Sequence, residues 1–288
     1  MEETRKLFFV ISAILLAAPA YSDDAFHHHQ FKAGEIIRYN YEDTDTIFPA
    51  VRQDDTIQAG DGMLVQEIQI PVEIMLQQTQ EGLERKLTIS PLVQYRQSQP
   101  ATLAQISFKA VADLSKNFSN SFSYSYKDDT DALNRLQTIF ETVRKDDVGQ
   151  FLFFKIQDIH QMQESTEHIP EGMVPGATYF SARHERKGFG GDFVAAPAQW
   201  IYQGTEVLDG IKCGYFKIIS MGIQFALPKM KTYTNFFFTL HVALEGPQRG
   251  LVILGEGQET ATVLHPTAEG TFESQAILQR QFSIRLRN

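Results

Sequence analysis

Beyond residue 30 the apolar and polar positions alternate with a period of two. Phe122, Tyr124 and Tyr126 alternate with Ser121, Ser123 and Ser125, and Phe236, Phe238, Leu240, Val242 and Leu244 alternate with Phe237, Thr239, His241 and Ala243. In an extended chain this places one set on a packed face and the other towards solvent. The same reading predicts strands over Glu35–Tyr41, Met63–Gln77, Leu83–Tyr95, Leu103–Val111 and Gln150–Ile159, then over Gly250–Leu254, Glu259–Leu264 and Phe272–Leu286. Pro71 and Pro91 interrupt two of these runs and imply bends, bulges or edge positions. The sharpest local signal is a hairpin. Trp200–Val207 and Ile211–Ile219 flank Asp209-Gly210, a pair that supplies the positive φ angles a tight turn needs.

One stretch departs from this period. Leu133, Leu136, Phe140 and Val143 recur at helical spacing, with acids at Asp128, Asp129 and Asp131 before them and Arg144 and Lys145 at the end. That arrangement predicts an amphipathic helix over about 131–146, capped and charged in the sense the helix dipole favours. Its apolar stripe requires a sheet to pack on. The expected fold is therefore mainly β: a curved antiparallel sheet, half-barrel or barrel, with that one helix packed against it. Exported lipid carriers use half-barrels of this kind, an analogy of fold with no sequence motif behind it. Residues 164–199 are rich in Pro and Gly and mark either a functional loop or a division of the β-rich domain, 23–288, into two halves.

Residues 1–22 read as a signal peptide. Arg5 and Lys6 precede an apolar run from Leu7 to Ala18, too short to span a bilayer, and small residues favour cleavage after Ala20 or after Ser22, the second being preferred here. The expected location is therefore exported, periplasmic or extracellular. Cys213 is the sole cysteine, so no intrachain disulfide forms and stability rests on an ordinary core. The sequon Asn117-Phe118-Ser119 matters only in a host that glycosylates secreted proteins. A net charge of −9, with no basic stripe, excludes nucleic acid as a natural partner. Several strands approach the length that crosses a bilayer, but the interrupting prolines, the helix and the non-aromatic C-terminus argue against a membrane barrel.

Candidate chemistry is sparse. His27, His28 and His29 resemble a weak copper, nickel or zinc site, yet neighbouring histidines near a terminus are more simply a mobile polar segment. His160 and His168, with Glu164 and Glu167 between them, lack metal-site spacing and read as loop residues. Asp128, Asp129 and Asp131 lack the glycine and closing glutamate of a calcium loop. Gly188-Phe189-Gly190-Gly191 lacks the Lys-Ser/Thr of a phosphate loop and reads as a turn. Cys213 falls within a strand and reads as a small buried hydrophobe. Arg183, His184, Glu185, Arg186 and Lys187 form the one locally basic patch, either a solvated loop or a grip on an anionic headgroup.

No metal site, cofactor site or catalytic residue is assigned, because no spacing selects an acid, a base or a nucleophile. What remains is the aromatic load. The 22 phenylalanines include Phe151, Phe153 and Phe154, and Phe236 to Phe238, so some strands present rings on both faces. This means either a core packed on both sides or rings lining an apolar cavity. The expectation is an exported, non-enzymatic binding protein whose partner is a lipid or other hydrophobic small molecule. The alternative is a surface module with a solid β core that meets an envelope protein.

Overall fold

The computed structural model describes residues 24–53, 56–59, 64–79, 82–89, 94–98, 122–127, 165–180, 184–188, 191–195, 198–227, 230–266 and 272–287. The chain is mainly β. Its strands are β1 (Ile36–Gln53), β2 (Thr56–Ala59), β3 (Leu64–Thr79), β4 (Gly82–Ile89), β5 (Gln94–Ser98), β6 (Phe122–Lys127), β7 (Thr178–Phe180), β8 (His184–Gly188), β9 (Gly191–Ala195), β10 (Gln199–Leu208), β11 (Ile211–Leu227), β12 (Met230–Ala243), β13 (Val252–Pro266) and β14 (Phe272–Leu286). They form one antiparallel sheet in the order β6-β4-β3-β1-β14-β13-β12-β11-β10-β7, with β2, β5, β8 and β9 paired beside that path. The long neighbours β1 and β14 join the N-terminal strands to the C-terminal ones through eleven facing residue pairs.

The sheet is curled. β4 and β10 stand seven strand spacings apart in the order, a distance of roughly 34 Å across a flat sheet. Two consecutive residues of a 3-10 turn nevertheless touch both: Glu167 accepts a hydrogen bond from Arg85 of β4 at 2.8 Å, and the His168 ring lies 6.3 Å from that of Trp200 on β10. Leu251 and Val252, at the start of β13, likewise share with Arg85 the lining of a small cavity of about 20 Å³, room for one water. Among the described residues no pairing joins β6 to β7, so the described sheet is not closed. The helix expected over 131–146 and the strands expected over Leu103–Val111 and Gln150–Ile159 lie outside the described residues.

Two segments fill one end of the curl. Residues 24–35 form a strap across it: Asp24 receives the Tyr202 hydroxyl on its carbonyl, Phe26 packs edge-on to Phe216 of β11, Phe31 lies under the Arg85 guanidinium, and Gly34 donates to the Leu76 carbonyl of β3. Residues 165–177 pack beside the strap, contributing the buried Ile169 and Met173 to the same core as Tyr41, Ile70, Phe216 and Ile284. Two backbone hydrogen bonds tie the segments together, from Phe26 to Met173 and from Gly172 to Phe26. Burial of this aromatic and aliphatic surface is the principal favourable contribution to folding.

Local sequence accounts for most of these elements. Asp209 at φ 52° and Gly210 at φ 80° make the anticipated turn between β10 and β11. Pro71 falls where the pairing on one side of β3 passes from β5 to β4, so a residue without an amide donor sits at a break in that ladder. Gly188 faces Gly191 across β8 and β9, so the glycine-rich run closes a hairpin.

β1, β11, β12 and β13 are longer than their patterns predict. β1 continues to Gln53 because its inward positions beyond Tyr41 are Asp43 and Asp45, whose charges hide the alternation. Gly250–Leu254 and Glu259–Leu264 merge into β13 because Gly257, which reads as a breaker, makes room for the Phe282 ring that a side chain there would strike.

Gly250 fixes the strap. Its φ is +82°, and a Cβ on it would collide with the backbone of His28 and His29. Gly250→Ala should lower the unfolding free energy in urea by about 2–4 kcal/mol, from the disfavoured backbone angle and the overpacking together. A loss below about 0.5 kcal/mol would show that the strap does not seat against this turn.

Candidate functional site

The inner face is ordered in rows by strand register. One row runs Tyr202, Phe216, Leu240, Gly255, Ile284, Tyr41, all buried. The next runs Trp200, Ile218, Phe238, Gly257, Phe282, Asp43. Beyond it lie Ser220, Phe236, Glu259, Arg280 and Asp45, and then Thr234, Ala261, Leu278 and Ile47. The strap and the 165–177 segment fill the curl at the first of these rows.

Arg280 lies in the third row, between Glu259 and Asp45. Its Nε donates to Asp43 Oδ1 at 3.0 Å and its Nη2 to Asp43 Oδ2 at 2.7 Å, a two-pronged pairing, while Nη2 also donates to the Tyr41 hydroxyl at 2.7 Å. That hydroxyl in turn donates to Asp43 Oδ2 at 3.1 Å. Asp45 lies 3.2 Å from Nε, and Glu259 accepts from Nη1 at 3.5 Å. The guanidinium stands 4.9 Å over the Phe282 ring, which stacks with Phe236 and Phe238. A forked arginine–carboxylate pair on an aromatic platform is the geometry in which a buried charge is best compensated.

Burial gives way across this cluster. Side-chain exposure rises from 0% at Asp43 to 13% at Asp45 and 19% at Glu259. In the next row Ile47 and Leu278 are apolar yet only partly buried, and Val263 one row further is the same. Past the Arg280 row Ala261 is still buried, while Ile47, Leu278 and Val263 are only partly so.

The histidines of the N-terminal segment are fixed parts of the strap, which corrects their reading as a mobile terminus. His27 Nδ1 meets Glu171 Oε1 at 2.5 Å, the His28 amide donates to Glu171 Oε2 at 2.9 Å, and His29 bonds the Arg249 carbonyl at 2.7 Å and Glu35 at 2.8 Å. His27 and His28 thus share Glu171, whereas the His29 ring turns to Arg249 and Glu35. Among the described residues no three His, Cys, Asp or Glu side chains gather as metal ligands.

His168 lies beside Trp200, whereas His160, Arg183, Asp128, Asp129 and Asp131 fall outside the described residues. His184–Lys187 belong to a strand rather than a loop: β8 pairs with β9, and β9 with the far end of β11. Cys213 is wholly buried against Ala243 and Ile253, and burial pushes its thiol up to about 11, which leaves it protonated and unreactive at neutral pH.

Sequence reading missed Arg280, Asp43, Asp45 and Glu259, which stand 21 to 237 residues apart from one another's partners along the chain. The available signal was a charged residue at an inward position of an otherwise apolar alternation. Phe236 and Phe238 do point inward and Phe237 outward, as the period requires.

No family model matches this sequence, and no curated protein matches it. Among solved structures the chain is similar to lipovitellin, with a TM-score of 0.46 at 10% identity over 90% of this chain and 26% of that one. It thus spans about a quarter of the lipovitellin chain. It is also similar to an outer membrane channel from Pseudomonas putida F1 (TM-score 0.23, 7% identity, 90% of this chain and 98% of that one). A third similarity is to a protein with a YmcC-like fold, described as exported, from Bacteroides fragilis NCTC 9343 (TM-score 0.24, 12% identity, 92% and 100%). Likeness at these scores places no constraint on function.

Two outcomes follow from the geometry. Arg280→Met leaves Asp43 charged and buried without its partner and should cost about 3–5 kcal/mol in urea unfolding, part of it recovered when Asp43→Leu is added. An Arg280→Met protein as stable as the parent would remove the cluster from the core. The second concerns acid. Burial alone would raise the Glu171 carboxyl, but the His28 amide and the His27 ring outweigh it and hold the carboxyl below its ordinary value of 4.5. A depressed folded value stabilises above the unfolded value and is lost as pH falls, so the strap should loosen below about pH 4.5. Amide-exchange protection of Phe26 should fall in that window, and in Glu171→Gln it should be low without acid. Equal protection in both proteins at neutral pH would contradict this.

Proposed function

We propose that this is an exported, non-enzymatic binding protein that holds an apolar or amphiphilic ligand in the open half of its curled sheet. The observation that carries the reading is the change along the inner face at Arg280. On one side the strap and the 165–177 segment complete a buried core. On the other, Ile47, Leu278 and Val263 continue the apolar lining while remaining partly open. A concave apolar surface with a few fixed polar groups at its base is the usual form of a small-molecule site. The buried pair of Arg280 and Asp43 then acts as the floor, and the ligand lies above it.

The alternative, a surface module that docks on an envelope protein, draws on the outer face. There Met221, Tyr233 and Phe237 are exposed large apolar residues on β11 and β12. Scattered apolar residues of this kind are common on monomeric surfaces, so the inner face carries more weight.

Native mass spectrometry on protein purified from its exported fraction without detergent tests the reading. The expected result is an added mass of a few hundred daltons that is released on denaturation and is absent from Leu278→Lys, whose charge would stand in the open row. A bare polypeptide mass for the parent protein, with no uptake of N-phenyl-1-naphthylamine, an uncharged apolar dye, would refute the pocket and favour the docking module.

A further inference from the structure

Past the Arg280 row the sheet carries no charge on either face. Five neighbouring strands cross this band side by side, in the order β1, β14, β13, β12 and β11. Their residues there are 46–51, 274–279, 260–264, 232–238 and 218–227, and strand register holds them at one level: Thr46 faces Gln279, Gln279 faces Thr260, Thr260 faces Asn235, and Thr234 faces Ile223. None of them is Asp, Glu, Lys or Arg, in a chain where 21% of residues are. Charge resumes on both sides of the band. Towards the strap it is carried by Asp45, Arg280 and Glu259 on the inner face and by Glu42, Glu256 and Lys217 on the outer one; at the opposite limit stand Arg52, Glu273 and Lys231.

The outer face of the band is open. Met221, Tyr233 and Phe237 are 63%, 43% and 37% exposed, and Phe48 and Ile277, joined to Tyr233 in one row through Thr262, are partly so. Singly such residues are ordinary. Together they form the solvent side of a sheet segment from which charge is missing, whereas a face kept in water normally carries it. The interfacial zone of a bilayer matches this pattern: it penalises full charges, accepts aromatic rings and hydrogen-bonds neutral polar side chains such as Asn235, Thr260 and Gln279. Three of the five stretches hold only five or six residues, short of the ~10 that a tilted strand needs to cross a bilayer, so the band suits one surface and not a span. A net charge of −9 disfavours anionic lipid.

We propose that this end of the curled sheet docks on the surface of a neutral phospholipid bilayer, with Met221, Tyr233 and Phe237 in the interface. Ile47 and Leu278 lie at the same level on the inner face, so the open half is turned towards the lipid and an apolar ligand passes between them without crossing water. The docking is separate from the binding of a ligand.

Flotation of the mature chain with phosphatidylcholine vesicles tests it. The parent should float equally in about 0.1 M and about 1 M NaCl, because the contact is not electrostatic. Tyr233→Glu with Phe237→Glu should weaken the association roughly 10-fold or more, with an unchanged urea midpoint because both side chains are exposed. Val207→Glu places the same charge on a residue that is 73% exposed at the far end of β10, and it should float like the parent. The depth of the contact can be read by quenching. Brominated phosphatidylcholine should quench Tyr233→Trp and leave the parent's one tryptophan, the buried Trp200, unquenched.

Equal flotation of parent and double variant would overturn the docking site. Flotation that requires phosphatidylglycerol and is lost at high salt would overturn it in favour of an electrostatic grip. A parent that does not float, yet has a dimer mass the double variant lacks, would give the band to a second copy of the chain. Dye uptake without flotation would refute the docking and leave the pocket standing; flotation without dye uptake would do the reverse.

Discussion

A curled sheet must have something inside it, and in this protein the rest of the structure depends on how that interior is shared. Strands seven spacings apart approach one another only because the strap and the 165–177 segment lie between them and satisfy both sides. The joint is mixed in character. Phe26, Ile169 and Met173 supply apolar surface, while Arg85, Glu167, Tyr202 and Asp24 supply oriented polar contacts at its margins. The hydrophobic contacts provide most of the free energy and little direction; the polar ones cost desolvation and select one arrangement. Burial raises the Tyr202 hydroxyl, with the Asp24 charge adding to it, which keeps this group a neutral donor to the Asp24 carbonyl through the physiological range.

Arg280 has the corresponding role further along the inner face. Three carboxylates and a tyrosine hydroxyl surround it on a surface that is otherwise apolar. A simpler core would place aliphatic residues there, and such replacements are often neutral or stabilising. A charged layer in this position interrupts the apolar inner face at a defined row. Tyr41, Ile70, Phe216 and Ile284 beneath it share a core with the strap, and Ile47, Leu278 and Val263 above it are partly open.

How much of this was legible in the residues varies with the range of the interaction. Local signals read well. The period of two located β3 and β14 nearly to their ends, and Asp209-Gly210 gave the turn and its hand. Signals that depend on a distant partner did not. Asp43 and Asp45 look like the end of a strand until Arg280 is opposite them, and Gly257 looks like a breaker until Phe282 fills its space. The histidines at 27–29 look like a loose terminus because nothing nearby in sequence reveals Glu171, Arg249 or Glu35 as their partners. Closure of the sheet was undecidable for the same reason: an alternating strand at the edge of a half-barrel has the composition of one inside a barrel.

The same dependence explains why the candidate site carries no motif. Catalytic and metal sites announce themselves through short spacings because several ligands must meet at one point, often from one helix or loop. A cavity between sheet faces needs only that inward positions be apolar and that some remain uncovered. The first property is shared with every core strand, and the second depends on where covering segments end. Here the polar layer that interrupts the apolar rows is built by Arg280 and Asp43, residues 237 positions apart. The boundary between core and site is therefore a property of the folded register, and the residues that define it are charged ones in positions where the alternation calls for apolar side chains.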